Sequence, residues 1–408
     1  MLLTLRGACV LGRFFVSGGL MHLNLNAADQ VAYLRDKKDV AFNLMDEEAA
    51  VRFLSNRNYF FKLKAFAKNY EKRFKEGDGK GSYIGLEFAY LVELSRVDRQ
   101  LRDLVLHLTL DIEHCLKVRI NRGAMAEGCD PCELAEKYLD YSRSNAIKEQ
   151  VSKMDADGAS RTFARIRSVM DGVGEGLDPA SAVAIANELE GLLGEITFGR
   201  DPDHVRNSYA AMGTSPYSKG IVEKYGEADM PYWCLMELIS FGPLIGFYKA
   251  CFRKGGFLDS SEERATLKAA SNLLRRVQTL RNAAAHGDCL LNGLSNYVRS
   301  KSASGVKKAL QVREGLSGDV VNQVSSVVVA MDLAAVLMCY DIFVPEGYTR
   351  SSAADELRAF AKRVAEKKDW FEKNYAIKSF IDYVVLVFLH FADKFEWKGG
   401  REGEPAKA

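Results

Sequence analysis

The stretch that decides the fold is residues 86–122, LEFAYLVELSRVDRQLRDLVLHLTLDIEHCLKVRINR. Its apolar residues recur every three or four positions, which puts them on one side of an α-helix. The spacing predicts a single long amphipathic helix over 86–122, ended by Gly123 and Gly128. The predicted buried stripe comprises Leu94, Leu101, Val105, Leu108, Ile112 and Cys115.

The remainder of the 408-residue chain has the same helical character. It contains only 8 prolines, and runs rich in Ala, Leu, Glu, Lys and Arg follow one another with few alternating β-branched stretches. The hydrophobic share of 48% and the charged share of 27% are typical of a globular protein. We predict an all-α fold, a multi-helix bundle.

Composition also limits location and partners. The net charge of +2 does not indicate a general nucleic-acid binder, so any basic site must be local. The 8 cysteines are unevenly spaced, which is typical of free thiols in a reducing cytosol. No stretch reaches the roughly 18 consecutive apolar residues of a membrane-spanning helix. These features predict a soluble, cytoplasmic protein that does not contact a membrane.

One Cys-x-x-Cys pair occurs, at Cys129 and Cys132. A zinc site would need two further ligands at matched spacing, and none is near in the sequence. Helix capping explains the segment better, with Asp130 as N-cap, Pro131 at the first helical position and Glu133 completing a capping box. We therefore expect no metal site and no cofactor.

The pattern divides the chain into consecutive regions. The first is a poorly ordered extension, or the result of a mis-assigned start for which Met21 is the true one. The predicted regions are 1–26, the extension; 27–128, a helical region with a basic helix and the long helix; 129–230, a helical insertion with an irregular linker; 231–300, which contains residues 281–286; and 301–408, C-terminal helices with a frayed tail.

The helix predicted over about 261–286 ends in the sequence RNAAAH. At 100° per residue, Asn282 and His286 lie roughly 200° and 240° from Leu280, on the outward face. Arg275 lies between them on that face, and Arg281 lies at its flank. The predicted buried stripe comprises Leu273, Val277, Leu280 and Ala284.

An outward histidine beside an amide and a guanidinium suits RNA cleavage. His286 is able to shuttle a proton near neutral pH, and Arg281 is able to bind a phosphate and stabilise its transition-state charge. The attacking group would be the 2′-hydroxyl of RNA itself, so no metal is required. The spacing alone is weak, because Arg102 and His107 repeat it, and a solvated helix surface remains the alternative.

A basic helix is predicted over residues 59–74. Its lysine side either tracks RNA phosphates or is only a solvated face. Its opposite side is better explained as core than as a base-stacking platform. The lysines are Lys64, Lys68, Lys72 and Lys75, the apolar residues are Leu63, Phe66, Tyr70 and Phe74, and the candidates for RNA binding are Lys62, Lys64, Lys68, Lys72 and Arg275.

The polar side of the long helix carries Asp103, His107 and His114. A metal or catalytic site is one interpretation of this set. Ordinary surface polarity is the favoured one, because only Asp103 and His107 lie one turn apart.

Several segments recur together in an order that resembles one family, the abortive-infection Abi-2 (AbiD/AbiF-like) proteins of bacterial phage defence. The resemblance covers about residues 27–125 and 215–295. The segments are NYFFKLKAF at 58–66, LEFAYL at 86–91, ELS at 93–95, Asp98 with Leu101 and Arg102, LDIEH at 110–114 with Lys117, PYW at 231–233, Glu237, SFG at 240–242 and LRNAAAH at 280–286.

The resemblance implies a HEPN-like helical core in which Arg281, Asn282 and His286 match the Arg-Asn-x-x-x-His motif. HEPN ribonucleases cut RNA without metal and leave cyclic phosphate ends. Their units usually face each other, which implies a homodimer or higher homo-oligomer with a composite site. Some AbiF-like proteins partner a small non-coding RNA that restrains them, in the manner of a toxin–antitoxin pair. Structural or supporting roles are implied for Arg102, Glu113, His114 and Glu237.

One departure from the family concerns the residues after the motif histidine. Many members carry an Asn-rich stretch there, whereas Gly287, Asp288 and Cys289 follow in this chain. The negative charge of Asp288 beside a phosphate is expected to affect turnover more than binding.

Two alternatives to a ribonuclease stay open. The first is a non-catalytic RNA-binding scaffold, or an antitoxin-regulated defence component whose HEPN site is degenerate. The second is a partner-sensing module in which segments 130–210 or 300–395 bind a phage protein. An RNA-free protein at low salt would argue against the scaffold.

Overall fold

The computed structural model describes residues 25–73, 81–153, 156–171, 178–197, 201, 203–212, 215–226, 229–295, 301–316, 318–324 and 327–396. Within these residues the chain forms α-helices and no strand, with two isolated bridges, Ala41–Glu87 and Lys72–Tyr83. The prediction of an all-α multi-helix bundle is confirmed. The expectations for residues 1–24 and for the tail 399–408 lie outside the described residues.

The helices follow one another in the order of the chain. They are α1 Ala27–Lys38, α2 Glu47–Asn56, α3 Phe60–Ala67, α4 Phe88–Ala126, α5 Pro131–Val151, α6 Ala156–Asp171, α7 Pro179–Thr197, α8 His204–Met212, α9 Lys219–Tyr225, α10 Tyr232–Leu238, α11 Phe241–Phe252, α12 Ser261–Ala285, α13 Lys301–Val312, α14 Asp319–Val324, α15 Val328–Phe343, α16 Tyr348–Ala365 and α17 Tyr375–Phe395.

The long helix predicted over 86–122 is α4, and its apolar stripe is buried as expected apart from Cys115, which is half-buried. The helix runs through Gly123 to Ala126. A side chain at Gly123 would meet the Phe252 ring, with 2.9 Å between its Cβ and Phe252 Cζ, which explains the glycine by close packing. The expectation that Gly123 ends the helix is therefore wrong. Gly128, at φ +61°, closes the helix instead, and its N–H donates to the carbonyl of Met125.

The start of α5 confirms Asp130 as the N-cap and Pro131 as the first helical residue. The Glu133 carboxylate lies 2.7 Å from Lys137 Nζ, and its part in a capping box stays a prediction. Asp130 Oδ1 accepts the backbone N–H of Cys132 at 3.0 Å and that of Glu133 at 2.8 Å. Cys129 and Cys132 are free thiols. Among the residues that the structure describes, no three His, Cys, Asp or Glu side chains form a group that could hold a metal ion.

The basic helix is shorter than predicted, because α3 ends at Ala67 rather than at residue 74. Asn69 lies just beyond the end of the helix and is buried, with its carboxamide bound to the backbone of Leu291 and Leu294. Lys72 lies beyond the helix, in the bridge to Tyr83. The expectation of a single lysine stripe along one helix is therefore wrong, although the assignment of Leu63, Phe66 and Tyr70 to the core is confirmed. Phe74 and Lys75 lie outside the described residues.

The chain forms two compact units, each assembled from separated stretches. The consecutive regions drawn from the sequence remain a prediction. Unit 1 comprises Met1–Leu104, Ala283–Met331 and Asp355–Ala392, and unit 2 comprises Val105–Asn282, Asp332–Ala354 and Asp393–Ala408.

The apolar core of unit 1 also encloses the carboxylate of Glu93. Glu93 is almost fully buried and pairs with Arg363 of α16. The Tyr383 hydroxyl donates to the carbonyl of Ala330 at 3.1 Å. Fully or almost fully buried side chains of this core include Leu63, Phe66, Phe88, Leu101, Leu357, Val387 and Phe388.

Unit 2 is organised around a buried carboxylate near the start of α12. Glu263 accepts hydrogen bonds from Arg119 at 2.9 Å, Arg122 at 2.6 Å and the Tyr248 hydroxyl at 2.7 Å. Buried carboxylates need such partners, because an unpaired charge in the interior is costly. The surrounding core includes Leu116, Ile120, Phe247, Tyr248, Phe252, Tyr340 and Phe343.

One helix among the described residues, α17, is long and apolar enough to cross a membrane by length and composition alone. Half of its apolar window is buried inside the protein. Ile377, Val384 and Phe388 are among the side chains that it buries in unit 1. Core helices of soluble proteins have the same character, so α17 is weak evidence for a membrane segment.

Candidate functional site

The helix that carries the Arg-Asn-x-x-x-His sequence is α12, within one residue of the predicted span. Ser260 Oγ accepts the N–H of Glu263 at 3.2 Å at its start, and acidic residues occupy its first turn. The predicted stripe is confirmed, since Leu273, Val277, Leu280 and Ala284 are all buried. The opposite face of the helix is thereby turned outward.

The C-terminus of α12 places His286 at the cap position. Gly287 has φ +72°, its N–H donates to Ala284 O at 3.1 Å, and the N–H of Asp288 donates to Ala283 O at 2.9 Å. This pair of bonds is a Schellman motif, which requires a left-handed residue that glycine adopts without strain. His286 is exposed, as the helical pattern predicts.

Arg281 is half-buried and has defined neighbours within unit 2. Its Cζ lies 5.8 Å from the centre of the Phe241 ring. Its Nη2 is 3.8 Å from Glu113 Oε2, and its Nη1 donates to Asn282 Oδ1 at 3.4 Å. An aromatic face and a carboxylate thus orient the guanidinium, while neither contact is as close as a bidentate ion pair.

The SFG segment at 240–242 explains how α11 approaches α12. Phe241 is buried beside Arg281. A Cβ on Gly242 would lie 2.3 Å from Gln278 Nε2, so only glycine leaves room for that side chain in its present position. Phe241 and Gly242 thus place an aromatic ring beside Arg281 and leave space for the Gln278 side chain.

Residues singled out by the family resemblance extend this arrangement. Lys117 Nζ lies 3.9 Å from Glu113 Oε1 and 3.0 Å from Glu237 Oε2. Positive and negative groups therefore alternate from Arg281 through Glu113 and Lys117 to Glu237. Since the Glu237 side chain is 58% exposed, its pair adds little stability, and the series mainly fixes where charge lies.

The other polar residues of α4 do not join this series in the described contacts. His114 is exposed, one residue from Glu113 but on a different side of the helix. Asp103 is exposed, 4.0 Å from Arg99 Nε. His107 is exposed as well. The surface interpretation of Asp103, His107 and His114 fits these positions.

The segment directly after His286 is held by side chains of unit 1. Lys62 Nζ donates to the carbonyl of Gly287 at 2.8 Å, and Arg102 Nη1 donates to that of Asp288 at 3.2 Å. We use "the clamp" for Lys62, Asn69, Asp98 and Arg102, which hold residues 287–294. Asn69 binds the backbone of Leu291 and Leu294, both at 2.7 Å.

Asp98 is the buried centre of the clamp. It pairs with Arg102 and accepts the N–H of Leu291 at 2.9 Å. Burial raises the pKa of Asp98, while the backbone N–H groups of Leu291 and Leu290 and the charge of Arg102 oppose that shift. Asp98 and Arg102 stood in the sequence pattern, but nothing local in the sequence indicated that Asn69 is part of this cluster.

Cys289 lies inside the clamped segment, where a thiol could in principle act as a nucleophile. Burial raises its pKa to about 11. The thiol is therefore protonated at neutral pH and unsuited to nucleophilic attack.

The residues predicted to bind RNA occupy different settings. Lys64 and Lys68 are exposed, with Lys64 Nζ 5.6 Å from the Phe60 ring centre, whereas Lys72 Nζ lies 5.2 Å from the Tyr83 ring centre. Arg275 is exposed on α12, and its charge adds to burial in lowering the pKa of Lys249. The Lys62 ammonium differs from these, since it binds Gly287.

A cavity of about 630 Å³ in unit 2 touches the same helix one turn before Asn282. Gln278 of α12 lines the cavity, together with amide, hydroxyl and carboxylate groups of α5. The lining residues include Tyr141, Ser142, Asn145, Glu149, Asp201, His204 and Gln278.

These features describe an all-α protein whose helix α12 presents an arginine and an asparagine and ends in an exposed histidine. The family model described as Abi-like protein matches residues 52–292, more than half of the chain, and the protein belongs to that family. The matched stretch contains Arg281, Asn282, His286 and the whole of α4. No curated protein and no solved structure matches the chain. Family membership supports a role in abortive infection, a form of defence against phage.

Proposed function

We propose that the protein is a metal-independent endoribonuclease of abortive infection, with Arg281, Asn282 and His286 as its catalytic residues. One observation carries the proposal. A single helix presents Arg281, oriented by Phe241 and Glu113, and ends in an exposed His286 at a defined cap position. A buried histidine would have no access to RNA.

The residues suit transesterification by the substrate's own hydroxyl. His286 removes the proton of the RNA 2′-hydroxyl, whose oxygen attacks the adjacent phosphorus. The bond from phosphorus to the 5′-oxygen breaks, and that oxygen takes up a proton. The products are a 2′,3′-cyclic phosphate and a 5′-hydroxyl. Arg281 binds the non-bridging oxygens and stabilises the charge that grows on them, and Asn282 orients the same phosphate.

The reaction needs a proton donor as well as a proton acceptor. A second copy of the chain supplies the second histidine in a composite site, so the proposed active form is a homodimer or higher homo-oligomer. Lys64, Lys68, Lys72 and Arg275 contribute local positive charge for the RNA backbone. A small non-coding RNA bound by these residues keeps the enzyme inactive until infection. The proposed site of action is the cytoplasm.

Cleavage of a labelled RNA in EDTA tests the proposal. Wild-type protein should yield cyclic phosphate ends, and His286→Ala should reduce the rate on the order of 10²–10⁴-fold, the scale of a general acid or base. His107→Ala is the matched control, because His107 is an exposed histidine with the same spacing from an arginine. Equal rates for wild type and His286→Ala would overturn the proposal.

A non-catalytic RNA-binding scaffold is the second candidate. The observation that favours it is the carboxylate of Glu113, which lies 3.8 Å from Arg281 and competes with a phosphate for the guanidinium. A scaffold would co-purify with RNA whose affinity falls steeply with salt. It would also retain phage defence in the His286→Ala variant, whereas the ribonuclease would lose it.

A further inference from the structure

Two cations of unit 1 donate to neutral acceptors in the segment after His286. Lys62 Nζ and Arg102 Nη1 bind the carbonyls of Gly287 and Asp288, the first two residues beyond the histidine. The Arg102 side chain is only 12% exposed and Asp98 is not exposed at all. A side chain with this burial and these partners is not available to track an RNA backbone.

The two carbonyls that Lys62 and Arg102 bind belong to residues that the end of α12 also holds. Gly287 and Asp288 are also the residues whose N–H groups close the Schellman motif at the end of α12. Each of them is therefore fixed on its N–H side by the helix and on its carbonyl side by the clamp. The backbone of His286 lies directly before this doubly bonded pair, so its direction depends on both sets of bonds.

A contribution to folding stability alone does not explain why cationic side chains bind the carbonyls of Gly287 and Asp288. A buried or half-buried cation is a costly donor to a carbonyl, because its charge must be desolvated and only partly compensated. Asn69, a neutral residue, binds the backbone of the same segment with two bonds of 2.7 Å. The longer side chains of Lys62, on α3, and Arg102, on α4, reach the two residues that follow His286.

We propose that Lys62 and Arg102 are positioning residues that hold His286 in its working direction through the carbonyls of Gly287 and Asp288. On this proposal, Lys62 is not one of the residues that contact RNA. This inference rests on the proposed function for its catalytic consequence. Its structural part, the hold on residues 287–291, does not depend on any activity.

The kinetic experiment compares Lys62→Met with Lys362→Met, the same change at an exposed lysine of α16 in unit 1. Lys62→Met should lower kcat on the order of 10–10²-fold, the cost of a misplaced catalytic group, with RNA affinity and its salt dependence unchanged. Lys362→Met, a change at an exposed position with no assigned role in RNA binding, should leave kcat unchanged. Lys62→Arg should restore most of kcat, because it keeps a long donor.

The opposite pattern would overturn the proposal. If Lys62 bound RNA, Lys62→Met would weaken affinity and reduce the slope of log affinity against log salt by about 1, with kcat at saturating RNA unchanged. A loss of thermal stability with no change in either kinetic parameter would also overturn it, since that outcome assigns Lys62 a purely structural role.

Amide hydrogen exchange, read by mass spectrometry, separates this inference from the proposed function. Lys62→Met should speed exchange in residues 286–292 and leave the corresponding segment 127–133 unchanged. The control Lys362→Met should change neither segment. Unchanged exchange in residues 286–292 would contradict the proposed role of Lys62 in holding this segment, even if the protein cleaves RNA. If Lys62→Met speeds exchange in residues 286–292 but the protein cleaves no RNA, Lys62 does hold the segment and the proposed ribonuclease activity is wrong.

Discussion

The C-termini of α4 and α12 have the same backbone geometry and different surroundings. Gly128 N–H donates to Met125 O at 3.2 Å and Cys129 N–H to Ala124 O at 3.1 Å, as Gly287 and Asp288 donate to Ala284 and Ala283. After Gly128 the chain enters α5 within three residues. After Gly287 it remains in turns through residue 295, where the clamp holds it.

The two helix ends show that stopping a helix and fixing the segment beyond it are separate tasks. One glycine in the left-handed region is sufficient to end either helix. Side chains from distant parts of the chain are added only at the α12 end, next to the exposed histidine. Such added interactions are expected where the position of a residue, and not only the path of the chain, matters.

The largest effect should come from removing the buried carboxylate of the clamp. Asp98→Ala leaves Arg102 without its partner and the N–H of Leu291 without an acceptor, so it should cost about 3–5 kcal/mol in the free energy of unfolding. Urea denaturation measures the loss. Asp98→Asn keeps an acceptor for Leu291 and should cost less. A cost below about 1 kcal/mol for Asp98→Ala would contradict the buried ion pair.

An intermediate effect distinguishes the two glycines. Gly287→Ala and Gly128→Ala both force a side chain into the left-handed region with open space around it, so each should cost about 1–2 kcal/mol by thermal unfolding. Only Gly287→Ala should also slow RNA cleavage, because it disturbs the residue next to His286. Equal effects of the two substitutions on cleavage would break the distinction between the two helix ends.

The smallest effect should come from the capping residue at the α4 end. Asp130→Ala removes the acceptor for Cys132 and Glu133 and should cost about 1 kcal/mol in stability. It should leave RNA cleavage unchanged at a temperature where the protein stays folded. A marked loss of cleavage would show that the end of α4 also contributes to the site.

Much of the fold was accessible from the sequence because its signals are local. The period of apolar residues predicted α4 and α12, and the order Asp130, Pro131, Glu133 predicted how α5 begins. The same periodicity made the predicted α3 too long. Asn69 leaves the helix to bind Leu291 and Leu294, more than 220 residues away, and no local pattern encodes that contact.

The candidate site divides in the same way. The helical pattern predicted that His286 faces outward and that Leu280 and Ala284 are buried. Phe241 and Glu113, the neighbours of Arg281, lie on other helices, and the partner of Lys62 lies in the turn after α12, so residue type alone could not assign them. A lysine on an amphipathic helix looks the same in sequence whether it meets water, a phosphate or a carbonyl.

The span of the clamp also affects the order of events during synthesis. Lys62 and Gly287 are 225 residues apart, which at about 5–20 residues per second corresponds to roughly 10–45 s of translation. Throughout that interval α3 and α4 exist without the backbone groups that Asn69 and Asp98 bind. For a chain that would cut RNA beside a working ribosome, the histidine and the segment that holds it are therefore made late, after Lys62, Asn69, Asp98 and Arg102.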